Sequence, residues 1–136
     1  MVAWSRQVTP EPIVSGPASV YYAAGPVLLG TANGTPCPAD TITGVVTLTG
    51  DIGGVTMGGA TISGPAYIGA NSGQVTVSGN TIGGSASIIA NTGGSLVAGN
   101  SINGPLSCSG NNLAPTDGGR PNTTKGPAVG HCADLT

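Results

Sequence analysis

The chain has 136 residues, of which three are Lys or Arg and five are Asp or Glu, and its net charge at pH 7 is −2. This length is enough for one domain, and the sparse charge excludes the basic patch with which proteins bind nucleic-acid phosphates. No run of about 18 apolar residues is present, so the sequence predicts neither a nucleic-acid partner nor a membrane span.

Residues 1–25 are predicted to form an extended N-terminal arm. The arm contains three prolines and no repeat, and it has too little apolar content to fold alone. It also lacks the apolar core and the early basic cluster of a signal peptide. Two explanations stay open: the protein is not exported by the general route, or a leader has been removed.

The arm holds most of the chain's few aromatic side chains, namely Trp4, Tyr21 and Tyr22. Aromatic residues outside a repeat favour a surface that a partner buries, so these three are predicted to bind a partner. The alternative, which the sequence leaves equally open, is that they cap the first repeat.

Residues 26–136 are predicted to form a solenoid of four to five coils. Four gap-free repeats of 20 residues occupy residues 41–120, and a fixed period of this size indicates stacked structural units. Apolar residues alternate with polar ones over positions 2–8 of each repeat, as in a strand with one buried face. Segment 21–40 keeps Leu28 at the eighth position and is interpreted as a degenerate first coil or cap. The second position is always Ile, at Ile42, Ile62, Ile82 and Ile102.

The buried parity changes within each repeat at positions that carry Gly, Asn or Asp, which are residues that suit corners. One such column is Asp51, Asn71, Asn91 and Asn111, and the Gly-Asn pairs at 79–80 and 99–100 mark a second corner. A hairpin meander would set unlike residues opposite each other, whereas here like residues recur after one full period. The predicted fold class is therefore all-β, a parallel β-helix, with the right-handed coiling expected of parallel crossovers.

The chain has three cysteines, Cys37, Cys108 and Cys132. Cys108 falls in the inward eighth column, and Cys132 follows one coil and a short insertion later. Residues stacked in adjacent coils lie about 4.8 Å apart, within disulfide range. We predict a Cys108–Cys132 bridge that staples a C-terminal cap; two buried thiols are the alternative. Cys37 is predicted to be a buried free thiol, and no metal or other cofactor is predicted, since no Cys-x-x-Cys occurs.

The C-terminal segment resembles the ending of Gly/Thr-rich secreted proteins of actinobacteria. The resemblance rests on Leu-Ser-Cys-Ser-Gly-Asn-Asn at 106–112, a loop rich in Pro, Asn and Gly, and Gly-His-Cys-Ala at 130–133. His131 stands in place of the usual Gln, and Thr124 in place of an apolar residue. The resemblance implies that the two cysteines pair, and it carries over no catalytic residue. With a Pro-rich arm in place of a signal peptide, it suggests an actinobacteriophage virion protein, released by lysis.

Candidate catalytic groups are few, and no enzyme is predicted. Asp51 has no second carboxylate in its column, which an acid–base pair needs, so a corner-capping role like that of the Asn residues is expected. His131 is a lone imidazole beside the predicted bridge and is expected to be structural. The outward rows formed by Thr41, Thr61 and Thr81 with Thr43 and Ser63 resemble ice-binding surfaces, but they degrade to Gly83 and Asn103.

These observations predict a non-enzymatic structural or attachment protein. The first interpretation is a phage virion component such as a capsid decoration (cement) protein, located in the virion, with capsid or other virion proteins as partners and a homo-oligomeric state such as a trimer. The alternative is a secreted or cell-surface β-helix protein of an actinobacterium, serving adhesion or, as a weaker alternative, ice binding.

Overall fold

The computed structural model describes residues 13–30 and 41–136. These residues form parallel β-strands stacked as a solenoid, with repeats about 20 residues apart. The predicted all-β parallel solenoid is therefore confirmed. The strands are β1 (Ile13–Val14), β2 (Ala18–Tyr21), β3 (Val27–Gly30), β4 (Thr41–Ile42), β5 (Val46–Thr49), β6 (Val55–Gly58), β7 (Thr61–Ile62), β8 (Ala66–Gly69), β9 (Val75–Ser78), β10 (Thr81–Ile82), β11 (Ala86–Ile89), β12 (Ser95–Ala98), β13 (Ser101–Ile102), β14 (Leu106–Ser109), β15 (Thr123–Thr124) and β16 (Ala128–Gly130).

Three parallel sheets form the faces of the solenoid. Face 1 has the order β1-β4-β7-β10-β13-β15, face 2 the order β16-β14-β11-β8-β5-β2, and face 3 the order β12-β9-β6-β3. Each of the coils 1 to 4 contributes one strand to each face, in the order face 1, face 2, face 3. Coil 5 (101–122) adds β13, β14 and a single bridge from Thr116 to Leu96, and β15 and β16 begin a last, incomplete coil.

The core is built from columns of apolar side chains, one column for each inward position of the repeat. In the Ile column of face 1, Ile42, Ile62, Ile82 and Ile102 are each at most 2% exposed. The strands of faces 2 and 3 likewise alternate buried with more exposed residues. The predicted inward and outward parity is therefore confirmed, and the hydrophobic effect on these columns is the main force that stacks the coils.

Glycine at the fourth position of the repeat is explained by the close approach of successive coils. A Cβ on Gly44 would lie 2.5 Å from the carbonyl carbon of Gly16, and one on Gly64 would lie 2.9 Å from the carbonyl oxygen of Gly44. Real Cβ atoms do not tolerate such distances to backbone, so any side chain here would push neighbouring coils apart. The glycine column thus lets the corner between faces 1 and 2 stack closely.

The N-terminal boundary predicted at residue 25 is wrong, because strands of coil 1 are present from Ile13 onward in the described residues. Strand β1 pairs with β4, β2 with β5 and β3 with β6, all with an offset of 28 residues. The chain from Val14 to Ala18 reads Val-Ser-Gly-Pro-Ala, close to Ile-Ser-Gly-Pro-Ala at 62–66. Because the 28-residue offset holds through Gly30, the eight additional residues of coil 1 fall within 31–40.

The same offset corrects the placement of Leu28. In a 20-residue register Leu28 was expected in the inward eighth column, but it pairs with Thr56 on face 3 and lies half-buried on the outward side. Val27 and Leu29 fill the core instead.

The predicted disulfide joins Cys108 to Cys132, with 5.3 Å between the Cα atoms. Cys108 stands opposite Gly130 in the strand register, and Cys132 follows in the turn after β16, with both side chains fully buried. The C-terminal segment crosses the end of the core, where Leu135 is buried and its carbonyl accepts a hydrogen bond from Asn122. The disulfide therefore holds the C-terminal cap at the β16 end of face 2. Cys37 lies outside the described residues.

Candidate functional site

Two of the three predicted partner-binding residues lie on coil 1, at the edge of face 2. Tyr21 ends β2 opposite Thr49 and is 41% exposed, and Tyr22 stands at the following corner and is 80% exposed. The aromatic ring of Tyr22 lies over Gly50, where a Cβ would come within 2.5 Å of the ring. Gly50 is thus required beneath this ring. Trp4 lies outside the described residues.

A third tyrosine, Tyr67, extends the same outward side of face 2 and was not among the predicted partner-binding residues. It lies on β8 and is 39% exposed, and its ring covers Gly69, whose added Cβ would lie 2.7 Å from it. Gly69 stacks directly under Thr49, which stacks under Tyr21. Tyr21 and the Tyr67 ring therefore occupy one column, two coils apart. The sequence signal was a tyrosine at an outward position followed two residues later by glycine.

The turn between faces 2 and 3 also borders a shallow groove of about 340 Å³. Its lining includes the apolar Pro26 and Ile52, the latter 61% exposed, together with glycines and the polar Thr56, Gln74 and Thr76. Ile52 is tied to coil 1 by a hydrogen bond from its backbone N–H to the carbonyl of Ala23. We call the exposed surface formed by Tyr21, Tyr22, Tyr67, Pro26 and Ile52 the aromatic corner.

The aromatic corner is uncharged. In the described part of coils 1 to 3, residues 13–30 and 41–80, Asp51 is the single Asp, Glu, Lys, Arg or His, and its side chain is fully buried. The surface therefore offers stacking area, hydroxyl groups and backbone polar atoms, but no ionic contact.

Beneath the aromatic corner, at the turn between faces 2 and 3, the column of Asn71, Asn91 and Asn111 forms a buried hydrogen-bonded ladder. The Oδ1 atom of Asn91 accepts from both the backbone N–H and the Nδ2 of Asn71, at 3.1 and 3.0 Å. Its Nδ2 donates to the carbonyl of Ile68 and to Oδ1 of Asn111. Each side-chain amide thus hydrogen-bonds to backbone groups of the preceding coil and to the amide of the next coil.

A second ladder runs along the corner between faces 3 and 1. It consists of Asn80, Asn100 and Asn122 and repeats the same bonds. The backbone N–H of Ala60 donates to its first member at 2.9 Å. Asn80 and Asn100 stand at a corner, as the Gly-Asn pairs predicted, and the capping expected of the first column extends to this second one.

Asp51 takes the first place of the ladder under the aromatic corner. Its backbone N–H donates to Oδ1 of Asn71, and its own Oδ1 accepts from the backbone N–H of Ala23 at 2.7 Å. Its Oδ2 is buried without a hydrogen-bond partner. Burial raises the pKa of this carboxyl above its ordinary 3.8, and the Ala23 hydrogen bond lowers the pKa in part. The predicted corner role of Asp51 fits this geometry.

The other candidate groups are dispersed. His131 is exposed near the disulfide, and in the described ranges no three His, Cys, Asp or Glu side chains are grouped so as to hold a metal ion. The hydroxyl row of face 1 stacks in register from Thr41 through Thr61 and Thr81 to Ser101. Over these same ranges the chain forms no helix of the length and apolarity that crossing a membrane requires.

Comparisons with models of known protein families, with curated proteins and with solved structures gave no match.

Proposed function

We propose that the protein is a non-enzymatic attachment protein whose solenoid presents the aromatic corner to a protein partner. The observation that supports this proposal is the concentration of Tyr21, Tyr22 and Tyr67 on one uncharged surface of coils 1 to 3. Exposed tyrosines supply large contact area at low cost in conformational entropy, and they are enriched at the centres of protein interfaces.

The solenoid supports such a role because it is a rigid mount. Its coils are joined by strand pairing on three faces and by two buried amide ladders. The ring of Tyr22 already lies against Gly50, which lowers the rotamer entropy that this side chain would lose on binding. Trp4 precedes β1 by nine residues in the sequence, and the proposal includes it as a contact to the same partner.

The setting we propose is the outer surface of a virion, with the protein as a decoration component attached to capsid proteins, as a homo-oligomer such as a trimer. The Cys108–Cys132 bridge is compatible with this setting, because disulfides persist on virion surfaces and in other oxidising environments. An uncharged corner suits docking onto a shell by shape and apolar contact.

The second candidate is a secreted or cell-surface protein of an actinobacterium. The same disulfide favours it, since structural disulfides are most frequent in exported proteins, and the C-terminal resemblance to secreted proteins points the same way. Both candidates assign the aromatic corner the same task, attachment, but to different surfaces.

Co-sedimentation tests the proposal and separates the two settings. The full chain is mixed either with particles assembled from the coat protein encoded in the same gene neighbourhood or with actinobacterial cell envelopes. We expect pelleting with the particles, and a loss of at least tenfold in affinity for the double variant Tyr21→Ala/Tyr22→Ala. Leu113→Ala is the matched control, because Leu113 is 69% exposed but lies in coil 5.

Pelleting with envelopes alone would favour the secreted alternative. Unchanged binding by the double variant and by Tyr67→Ala, in either setting, would overturn the role of the aromatic corner.

A further inference from the structure

We propose that Asp51 occupies the ladder as a neutral acid whose Oδ2–H donates a hydrogen bond, and that this proton clamps coil 1 onto the solenoid. Asp51 thereby acts as a chemical substitute for asparagine at low pH and as a destabilising anion at higher pH. The inference is independent of the partner proposed above.

The ladder itself defines which atoms surround the orphaned oxygen. At Asn71, the Nδ2 atom donates to the carbonyl of Leu48 and to Oδ1 of Asn91. Asp51 lies one coil before Asn71, so its neighbours also lie one coil earlier. The register places Val20 in the position of Leu48 and Asn71 in the position of Asn91. The Oδ2 of Asp51 therefore takes the place of a donor between two acceptors, the Val20 carbonyl and Oδ1 of Asn71.

An ionised carboxylate at this place has no hydrogen to offer. Its Oδ2 is buried and unpartnered, and two acceptor oxygens would face it, so the ionised form carries both a desolvation cost and a repulsion. Protonation on Oδ2 removes the charge and supplies the donor, while Oδ1 keeps its bond from the Ala23 N–H. The raised pKa of the carboxyl, caused chiefly by burial, has the same direction.

No described charged group offsets this cost. Besides Asp51, the described residues of coils 1 to 3 carry only the phenol groups of Tyr21, Tyr22 and Tyr67, and the ladder neighbour in coil 3 is the neutral Asn71. The other described Asp, Arg, Lys and His side chains lie within residues 117–134, in coil 5 and beyond, while Arg6, Glu11 and Asp40 lie outside the described residues.

The pH dependence follows from linkage. Because the folded pKa lies above the unfolded value near 3.8, the contribution of this proton is complete below that value. It is lost as pH rises to the folded pKa, and it stays absent above it. Asp51 contacts coil 1 directly through Ala23, so coil 1, which carries Tyr21 and Tyr22, is the part whose attachment weakens.

The experiment measures amide hydrogen exchange of the full chain as protection factors against pH, together with the ¹³Cγ shift of Asp51 by NMR. The reporters are the coil 1 amides Ala18, Tyr22 and Val27, which donate to coil 2 carbonyls. Between pH 3.8 and the folded pKa, we expect their protection to fall about tenfold per pH unit, as the loss of one proton requires. Amides of coil 4, such as Ala90, serve as the internal control.

Asp51→Asn supplies the missing Nδ2 donor without titrating, so it should fold, raise coil 1 protection at pH 7 and abolish the pH-dependent fall. Asp117→Asn, at an exposed turn, is the matched control and should leave the fall unchanged. The proposal is overturned if the Asp51 carboxyl titrates at or below 3.8 in the folded protein. It is equally overturned if Asp51→Asn retains the fall in coil 1 protection or fails to fold.

Discussion

Coil 1 and the central coils share the same apolar columns but differ in their polar ones. In coils 3 and 4, asparagines close both corners with hydrogen bonds in each direction along the stack. In coil 1 the corresponding place under the aromatic corner holds Ala23, which has no side-chain amide and gives the ladder only its backbone N–H. Its ladder neighbour in coil 2 is an aspartate rather than an asparagine.

This difference shows that the apolar core extends further towards the N-terminus than the buried side-chain hydrogen bonds do. The core continues to Ala18 and Val20, both at most 4% exposed, whereas the amide ladder stops at Asn71. We therefore expect a gradient of stability, with the N-terminal end opening before the centre, as local unfolding does where hydrogen bonds are incomplete.

The most severe test of the stability gradient places a buried charge once in the centre of the solenoid and once in coil 1. Ile82→Asp should unfold the central coils, with a loss of about 4 kcal/mol or more, because an unpaired carboxylate would lie between Ile62 and Ile102. Val20→Asp should open coil 1 while coils 3 to 5 remain protected. Hydrogen exchange distinguishes the two outcomes.

The control for this pair is Thr81→Asp, at an exposed position beside Ile82, which should change the free energy of unfolding by less than about 0.5 kcal/mol. Global unfolding by Val20→Asp would contradict the gradient, because it would mean that coil 1 and the centre form one cooperative unit.

The C-terminal end provides the second test, because a covalent link replaces the ladder there. Cys132→Ser should lower the free energy of unfolding by about 3.5 kcal/mol, on a chain-entropy estimate for a loop of 24 residues. Urea unfolding measures the loss, and reduction of the unmodified protein is the control that should reproduce it. Exchange should increase first at β16 and leave coil 1 unchanged; a uniform increase would show that the ends are coupled.

The faces of the solenoid were predictable because the strict 20-residue period stacks like on like. Once Ile42 and Ile62 stack, each remaining position of the repeat has a fixed partner in the next coil, and the apolar positions are assigned to the inside. The start of the solenoid was not, because the eight extra residues within 31–40 shift coil 1 out of the 20-residue frame. The similarity of 14–18 to 62–66 was the available signal. The position of Tyr67 in the column of Tyr21 and the hydrogen bonds of the second Asn column were not predicted, because both depend on what lies across the stack, which a single repeat does not reveal.

Removing one rung from the middle of a ladder tests whether the amides distinguish the centre from coil 1. Asn91→Ala should cost about 2 to 3 kcal/mol, because it leaves the backbone N–H of Asn71 buried without a partner and removes the side-chain hydrogen bond to the carbonyl of Ile68. Asn103→Ala, at an exposed position of coil 5, is the matched control and should be close to neutral. Urea unfolding measures the free energy of unfolding of both variants. Equal values would show that the ladders do not cause the stability gradient.

The smallest expected effect comes from extending the ladder into coil 1. Ala23→Asn should stabilise coil 1 by about 1 kcal/mol, because the new Nδ2 donates to Oδ1 of Asp51 as Asn71 donates to Asn91. The gain should appear as higher protection of the Tyr22 amide, with coil 4 unchanged. Ala24→Asn is the control, since Ala24 is exposed and lies one residue out of the ladder register. If both variants protect coil 1 equally, the gain comes from a general effect of asparagine at this corner. If neither does, the absence of an amide at position 23 is not what sets coil 1 apart from the centre, and the eight-residue interruption within 31–40 becomes the difference to test next.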